Sequence, residues 1–174
     1  MHHINQIKLE SDKLFIRPLD FENLSIYLKS DGVLKFDLGK YLEKRKLSED
    51  LMFTIRNSVI PYIKQNPNDI LFGTLWVIIN KIQNIIVGDI GFKGKPSDKG
   101  LIEIGYGLYP EFFNNGYMTE AVKIMTTWAF EQPQVKIIIA ETNKENISSQ
   151  KVLKKNNFSI FAETEFNYWW RLDK

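Results

Sequence analysis

The sequence predicts one α+β domain over residues 1–174, and three observations support this fold class. The length of 174 residues suits a single core. From position 70 onwards, runs of β-branched and aromatic residues indicate strands. In the second half, helical and extended patterns alternate, which is typical of a crossover between parallel strands. Residues 1–12 are expected to form a frayed terminus.

The first elements are a strand and two helices. The segment 14–19 reads as a strand stopped by proline, and Asp20 can cap a helix that ends at 31–32. A second helix begins at Ser48, followed by two acidic residues in its first turn. The segment 66–68 closes that helix.

Three strands then follow as a β-meander. The apolar runs 71–79 and 85–92 flank the polar break 80–84, which predicts an antiparallel hairpin. The turn-rich loop 94–100 leads to a third strand at 101–108.

The second half contains the alternating elements. The patterns predict a helix from about 116 to 131, a strand at 135–140 and a helix from about 146 to 155. Asn157 suits the left-handed conformation that ends many helices. Aromatic-rich strands complete the chain.

Composition excludes several classes of function. The chain has 23 basic and 21 acidic residues and a net charge of +2, so a nucleic-acid arm is not expected. Cysteine is absent, which removes disulfides, thiolate metal sites and a cysteine nucleophile. The only histidines are His2 and His3, at the terminus. We therefore expect no metal site, and chemistry that depends on carboxylates, hydroxyls, amines, backbone groups or a cofactor.

The predicted compartment is the cytoplasm. No stretch approaches the roughly 20 apolar residues that span a bilayer, and the first residues lack the pattern of a signal peptide. No membrane partner is expected, and a homodimer remains compatible with the sequence.

The segment 106–121 is the most informative one for function. A strand ends at a proline, a polar loop containing Gly116 follows, and an apolar-striped helix begins. Such a junction directs unpaired backbone N–H groups outward, which is a phosphate-binding arrangement, although a plain turn has the same pattern. The lone Gly116 fits neither a P-loop nor a dinucleotide fingerprint.

A second segment, 145–158, opens a helix soon after a strand. Asn146 is either an ordinary N-cap or a functional residue, and Ser149 is either a first-turn serine or a functional hydroxyl.

Taken in order, these segments resemble the GNAT superfamily of acetyl-coenzyme-A-dependent N-acetyltransferases. The resemblance extends from 14–19, which looks like the opening strand of the ribosomal-protein N-terminal acetyltransferase branch, to about Phe158. It is carried by these segments: Ile104-Gly105-Tyr106, Pro110-Glu111-Phe112, Gly116-Tyr117-Met118-Thr119-Glu120-Ala121, Asn146-Ile147-Ser148-Ser149 and Leu153-Lys154-Lys155-Asn156-Asn157-Phe158.

The resemblance implies a fold and an activity. The fold is a mixed, largely antiparallel central sheet, splayed at the acetyl-coenzyme A site, with helices on both faces. The activity is transfer of acetyl from acetyl-coenzyme A to a primary amine by direct attack on the thioester. The amine is left open as a protein N-terminus, a polyamine or another small amine. The alternative is a non-catalytic acyl-coenzyme-A-binding module of the same fold.

The resemblance also implies roles for individual residues. Asn146 contacts the cofactor, Ser149 protonates the departing thiolate, and the N–H of Leu108 polarises the thioester carbonyl. The strand that binds the pantetheine arm comprises Tyr106, Gly107 and Leu108. The loop whose amides hold the pyrophosphate comprises Phe113, Asn114, Asn115, Gly116, Tyr117 and Met118.

Four positions depart from the family pattern. The family usually has Arg or Gln at Phe113, Gly at Asn114, Gly or Ala at Met118, and Gly at Asn157. Since backbone amides provide most of the phosphate contacts, the loss of one side chain need not abolish binding. Asn114 or Asn115 can adopt the left-handed conformation that the loop needs.

Acetyl transfer from a thioester to an amine suits this composition, because it needs no metal, histidine or cysteine. It needs a neutral amine, a stabilised oxyanion and a proton donor for the thiolate. Glu103, on the strand leading into the pantetheine segment, is the candidate base, acting directly or through water. Glu141 on the next strand is the reserve, and either carboxylate can instead lie on a solvated face.

Overall fold

The computed structural model describes residues 4–29, 33–36, 39–42 and 47–174. His2 and His3, and the predicted helix end at 31–32, lie outside these residues. Within them the strands are β1 (Leu9–Glu10), β2 (Leu14–Pro18), β3 (Val33–Phe36), β4 (Gly39–Leu42), β5 (Leu75–Asn80), β6 (Ile85–Phe92), β7 (Leu101–Leu108), β8 (Ile137–Asn143), β9 (Ser159–Glu163) and β10 (Asn167–Asp173). The helices are α1 (Phe21–Tyr27), α2 (Glu49–Thr54), α3 (Ile60–Gln65), α4 (Ile70–Gly73), α5 (Tyr117–Glu131) and α6 (Ile147–Lys155).

The strands form a mixed sheet in the order β1-β2-β5-β6-β7-β8-β10-β9. Neighbours along this order pair antiparallel, except for β7 and β8, which are parallel. The hairpin of β3 and β4 lies off this path and meets β6 at one position. The mixed, largely antiparallel sheet that the resemblance implied is confirmed, as is the meander of β5, β6 and β7.

Helices pack on both faces of the sheet. One face packs α5 and α6 over a buried cluster that includes Trp76, Met125 and Trp170. The other face holds a second cluster, which includes Leu24 of α1 and Val77 of β5. Because β-strands alternate their side chains, a single strand supplies both clusters.

The helix starts at Asp20 and Ser48 are as expected. Asp20 Oδ1 accepts a hydrogen bond from the Asn23 N–H at 2.7 Å, and Ser48 caps α2 in the same way. Between α2 and α3, residues 55–59 form a π-helical turn. The wider turn precedes Pro61, whose ring crowds the carbonyl four residues earlier in a regular helix. The segment ends at Asn66, as predicted.

Three local expectations differ from the structure. The terminus expected to fray contains β1, which pairs with β2 in backbone register, and Ile4 is buried. Residues 70–73 form α4 rather than the start of a strand, and this turn packs Phe72 and Ile70 against different core clusters. Gly73 at its end lies against the ring of Tyr62, where a Cβ would be 1.9 Å from a ring carbon. The strand predicted from 135 begins at Ile137, after Val135 turns into the core.

The two parallel strands separate along their length. Their register pairs Leu101–Glu103 with Ile137–Ile139, whereas β7 continues to Leu108 and β8 to Asn143. The sheet is therefore open between the carboxyl ends of β7 and β8. Helix α5 follows β7 and helix α6 follows β8, so the N-termini of both helices lie at this opening.

Candidate active site

A cavity of about 600 Å³ lies at the opening between β7 and β8. Its walls come from the end of β7, the loop before α5 and the first turns of α5 and α6. The predicted site residues that line it are Tyr106, Gly107, Leu108, Phe113, Asn114, Gly116, Tyr117, Met118, Asn146 and Ser149. The sequence analysis therefore selected residues that the fold brings to one cavity.

The loop before α5 depends on two left-handed residues. Gly116, the N-cap of α5, has φ +78°, and no side chain caps the helix there. Asn114 has φ +64°, which confirms that asparagine takes the left-handed conformation in this loop. Asn115, which is not among the lining residues of the cavity, donates from Nδ2 to the carbonyls of Phe112 and Phe113, both at 3.1 Å. Gly116, Tyr117 and Met118, at the start of α5 where backbone N–H groups lack intrahelical partners, all line the cavity.

The two unusual side chains in this region behave differently. Phe113 is 49% exposed at the cavity wall, where the family usually has Arg or Gln. Met118 is buried in the cluster beneath α5 and α6. The Met118 side chain therefore packs in the core, while the residue also lines the cavity.

The start of α6 supplies a hydroxyl pair. Asn146 is an N-cap, since its Oδ1 accepts from the Ser149 N–H at 3.0 Å. The Ser149 Oγ lies 2.8 Å from the Tyr106 hydroxyl, so a strand residue and a helix residue meet across the opening. Burial raises the pKa of Tyr106 to about 12, while its hydrogen bond with Ser149 opposes that rise.

Sequence reasoning missed two features of the cavity. Tyr106 and Ser149 are 43 positions apart, and no local pattern predicts their contact. Lys151 and Lys155 also line the cavity, four residues apart on α6. A signal for these lysines was present in the basic composition of the predicted helix. They add positive charge to a cavity already bordered by two helix N-termini.

The two carboxylates considered as bases lie away from the cavity lining. Glu103 forms an ion pair with Lys93 and is the last β7 residue in register with β8. Leu108 is five positions further along β7, about 17 Å of extended strand. Glu141 Oε1 accepts a hydrogen bond from Asn167 Nδ2 at 2.8 Å and is exposed.

A buried polar group lies beside the end of β7, which the sequence did not indicate. Asp89 of β6 is directly opposite Gly107 and is 6% exposed. The Tyr27 hydroxyl lies 3.4 Å from Asp89 Oδ2 and 2.8 Å from the Tyr109 hydroxyl. A Cβ at Gly107 would lie 3.6 Å from Asp89 Oδ1. These groups belong to the sheet face opposite α5 and α6.

Another cavity, of about 590 Å³, lies between β1 and α5. Its lining includes both acidic and basic side chains, without a helix N-terminus. The part of the chain that the structure describes contains no group of three His, Cys, Asp or Glu residues placed to hold a metal ion. None of its helices combines the length and apolarity needed to cross a bilayer.

Comparison with known proteins identifies, over most of the chain, the same GNAT family that the sequence motifs resemble. The family model described as an acetyltransferase (GNAT) domain matches residues 13–159. Among curated proteins, the uncharacterized N-acetyltransferase YjdG of Bacillus subtilis (strain 168) is 28% identical over 167 residues. The alignment covers 94% of this chain and 96% of YjdG.

Solved structures share the fold. An acetyltransferase of the GNAT family from Bacillus anthracis superposes with a TM-score of 0.65 at 21% identity, covering 96% of this chain and 98% of that one. The ribosomal L7/L12 alpha-N-protein acetyltransferase RimL, in complex with coenzyme A, gives 0.67 at 13% identity, covering 96% and 98%. At these identities the similarity concerns the fold.

Proposed function

Because this chain belongs to the GNAT acetyltransferase family, we propose that it transfers acetyl from acetyl-coenzyme A to a primary amine by direct attack on the thioester. The observation that supports this most is the cavity at the opening between β7 and β8, where the N-termini of α5 and α6 converge. Helix N-termini provide N–H donors and a positive dipole end, both suited to phosphate groups.

Acetyl-coenzyme A fits the chemistry of this cavity. The amides of 113–118 would hold the pyrophosphate, and Lys151 and Lys155 add charge that attracts phosphates. Among the residues that the structure describes, none pairs with the end of β7 on the β8 side, so the backbone groups there are available to the amide groups of a pantetheine arm. Asn146 borders the same space.

The reaction needs three functions from the protein. The N–H of Leu108 would polarise the thioester carbonyl, and Ser149 would protonate the sulfur as the C–S bond breaks. Glu103 would take the proton of an ammonium substrate. Given its distance along β7 from Leu108, that proton would travel through water rather than directly.

The acceptor is an amine whose class the site leaves open. The name of the structural relative RimL refers to acetylation of a ribosomal protein at its α-amino group, which favours a protein N-terminus for this chain also. A polyamine or another small amine remains compatible with the site, since nothing in the cavity lining selects one class of amine.

Release of free thiol tests the proposal. Acetyl-coenzyme A is mixed with the protein and a panel of N-terminally free peptides, polyamines and aminoglycosides, and thiol is measured with a chromogenic disulfide. We expect thiol release that depends on one class of amine. Binding of acetyl-coenzyme A without release for any amine would instead support a non-catalytic acyl-coenzyme-A-binding module.

A further inference from the structure

The contact between Tyr106 and Ser149 joins two elements that otherwise separate at the opening. Tyr106 lies three residues beyond Glu103, the last β7 residue that pairs with β8, and its hydroxyl reaches the first turn of α6. The oxygen-to-oxygen distance of 2.8 Å is that of a good hydroxyl hydrogen bond. The Tyr106 hydroxyl is also 3.4 Å from the Ser149 carbonyl oxygen, a longer contact.

The direction of this hydrogen bond decides what Ser149 can do. A serine hydroxyl has one proton to donate, and a phenol also has one. If Ser149 donated to Tyr106, its proton would be unavailable to any group in the cavity. If Tyr106 donates to the Ser149 Oγ, the serine proton is left free to point into the cavity, toward a departing sulfur.

Chemistry favours donation by Tyr106. A phenol is a stronger acid than an aliphatic alcohol and is therefore the better donor of the pair. Burial raises the pKa of Tyr106 to about 12, so the phenol keeps its proton throughout the neutral and mildly alkaline range. Consecutive hydrogen bonds in one direction also polarise each other, which strengthens the second one.

We propose that Tyr106 is a positioning residue, which donates a hydrogen bond to Ser149 and thereby directs the serine proton toward the leaving sulfur. This inference rests on the proposed acetyl transfer. In the reaction the C–N bond forms, the C–S bond breaks and its electron pair goes to sulfur. Ser149 passes its proton to sulfur and regains one, through solvent, from the proton that the attacking nitrogen releases. Tyr106 keeps its own proton.

A double-mutant cycle tests the proposal, using single-turnover rates and steady-state kinetics with the best amine of the panel. The Tyr106→Phe variant keeps the ring in its partly buried site, so the fold and the KM for acetyl-coenzyme A should stay within twofold of wild type. The rate should fall about fivefold or more, from the loss of a positioning hydrogen bond. In the Ser149→Ala background the same substitution should have no further effect, because Tyr106 acts through Ser149.

Tyr168→Phe is the matched control, since Tyr168 is also a half-buried tyrosine packed against the same core cluster, but lies outside the cavity lining. It should change neither rate nor KM. Equal losses from Tyr106→Phe in both backgrounds, an unchanged rate, or a raised KM alone would each overturn the inference. A wild-type protein that releases no thiol with any amine would overturn the proposed function, and the inference with it.

Discussion

Replacing Gly116 with alanine should have two effects that can be measured separately: a loss of stability from backbone strain and a loss of acetyl-coenzyme A binding. Gly116 has φ +78°, where an L-residue costs about 1–2 kcal/mol. Nothing lies within 4 Å of the Cβ that would be added, so no packing clash increases this cost. In a domain of this size, 1 kcal/mol corresponds to about 2–4 °C in Tm, and Gly116→Ala should lower Tm by about 2–8 °C.

The chain offers a matched control in Gly100. Its φ is +79°, nearly the same, but it lies in the turn before β7, outside the cavity lining. A Cβ there would approach the Lys136 Cγ to 2.8 Å and the Gln134 carbonyl oxygen to 3.0 Å. Gly100→Ala should therefore lose at least as much stability as Gly116→Ala, without touching the proposed cofactor site.

The assay is the rise in Tm caused by millimolar acetyl-coenzyme A. A ligand at 100 times its Kd stabilises the native state by about 2.7 kcal/mol. We expect Gly100→Ala to retain the full ligand-induced rise and Gly116→Ala to lose most of it, because the new methyl group projects into the cavity that the pyrophosphate would enter. Equal rises in the two variants, or no rise in the wild type, would refute the placement of the cofactor.

Three further predictions concern other parts of the site. Tyr27→Phe removes the hydroxyl that meets Asp89 and Tyr109, and urea denaturation should show a loss of about 1 kcal/mol in unfolding free energy. Asn146→Ala removes the cap of α6, and should cost about 0.5–2 kcal/mol by the same measurement while weakening acetyl-coenzyme A binding in a titration. Glu103→Gln should lower the rate near neutral pH by less than the roughly 10²-fold typical of a base in direct reach, because a chain of waters separates Glu103 from the end of β7, and the loss should shrink at higher pH as more amine arrives neutral. A rate-against-pH profile parallel to wild type would exclude Glu103 as the base.

Predictions from the sequence were most accurate at positions where a residue type favours one particular local conformation, such as a helix cap or a left-handed turn. Asn157 was expected in the left-handed conformation after α6, and its φ is +63°. Asn114 and the caps at Asp20 and Ser48 follow the same logic. The bounds of β6 and β7 were also correct, since polar or turn-rich segments border both strands.

The failures have a common physical cause in tertiary packing. The apolar run before β5 fits a strand or a buried helix equally well, and in the structure its helical turn packs Phe72 and Ile70 against different core clusters. Likewise, the proximity of Tyr106 to Ser149 depends on how far β7 and β8 diverge, which no local pattern encodes. The cavity residues were found because of a family resemblance, whereas their mutual contacts required the structure.

Because β7 and β8 pair over only a short stretch, the two halves of the sheet on either side of this pairing are weakly connected. Three register pairs join them, whereas β8 and β10 share seven. A ligand bound in the opening contacts both the β7 side and the β8 side of the sheet, and therefore restrains their motion relative to each other. The backbone amides of β8, which are remote in sequence from the loop at Gly116, should then exchange their hydrogens more slowly when the opening is filled. Hydrogen exchange of the β8 amides thus reports whether a ligand occupies a cavity that β7, α5 and α6 largely form.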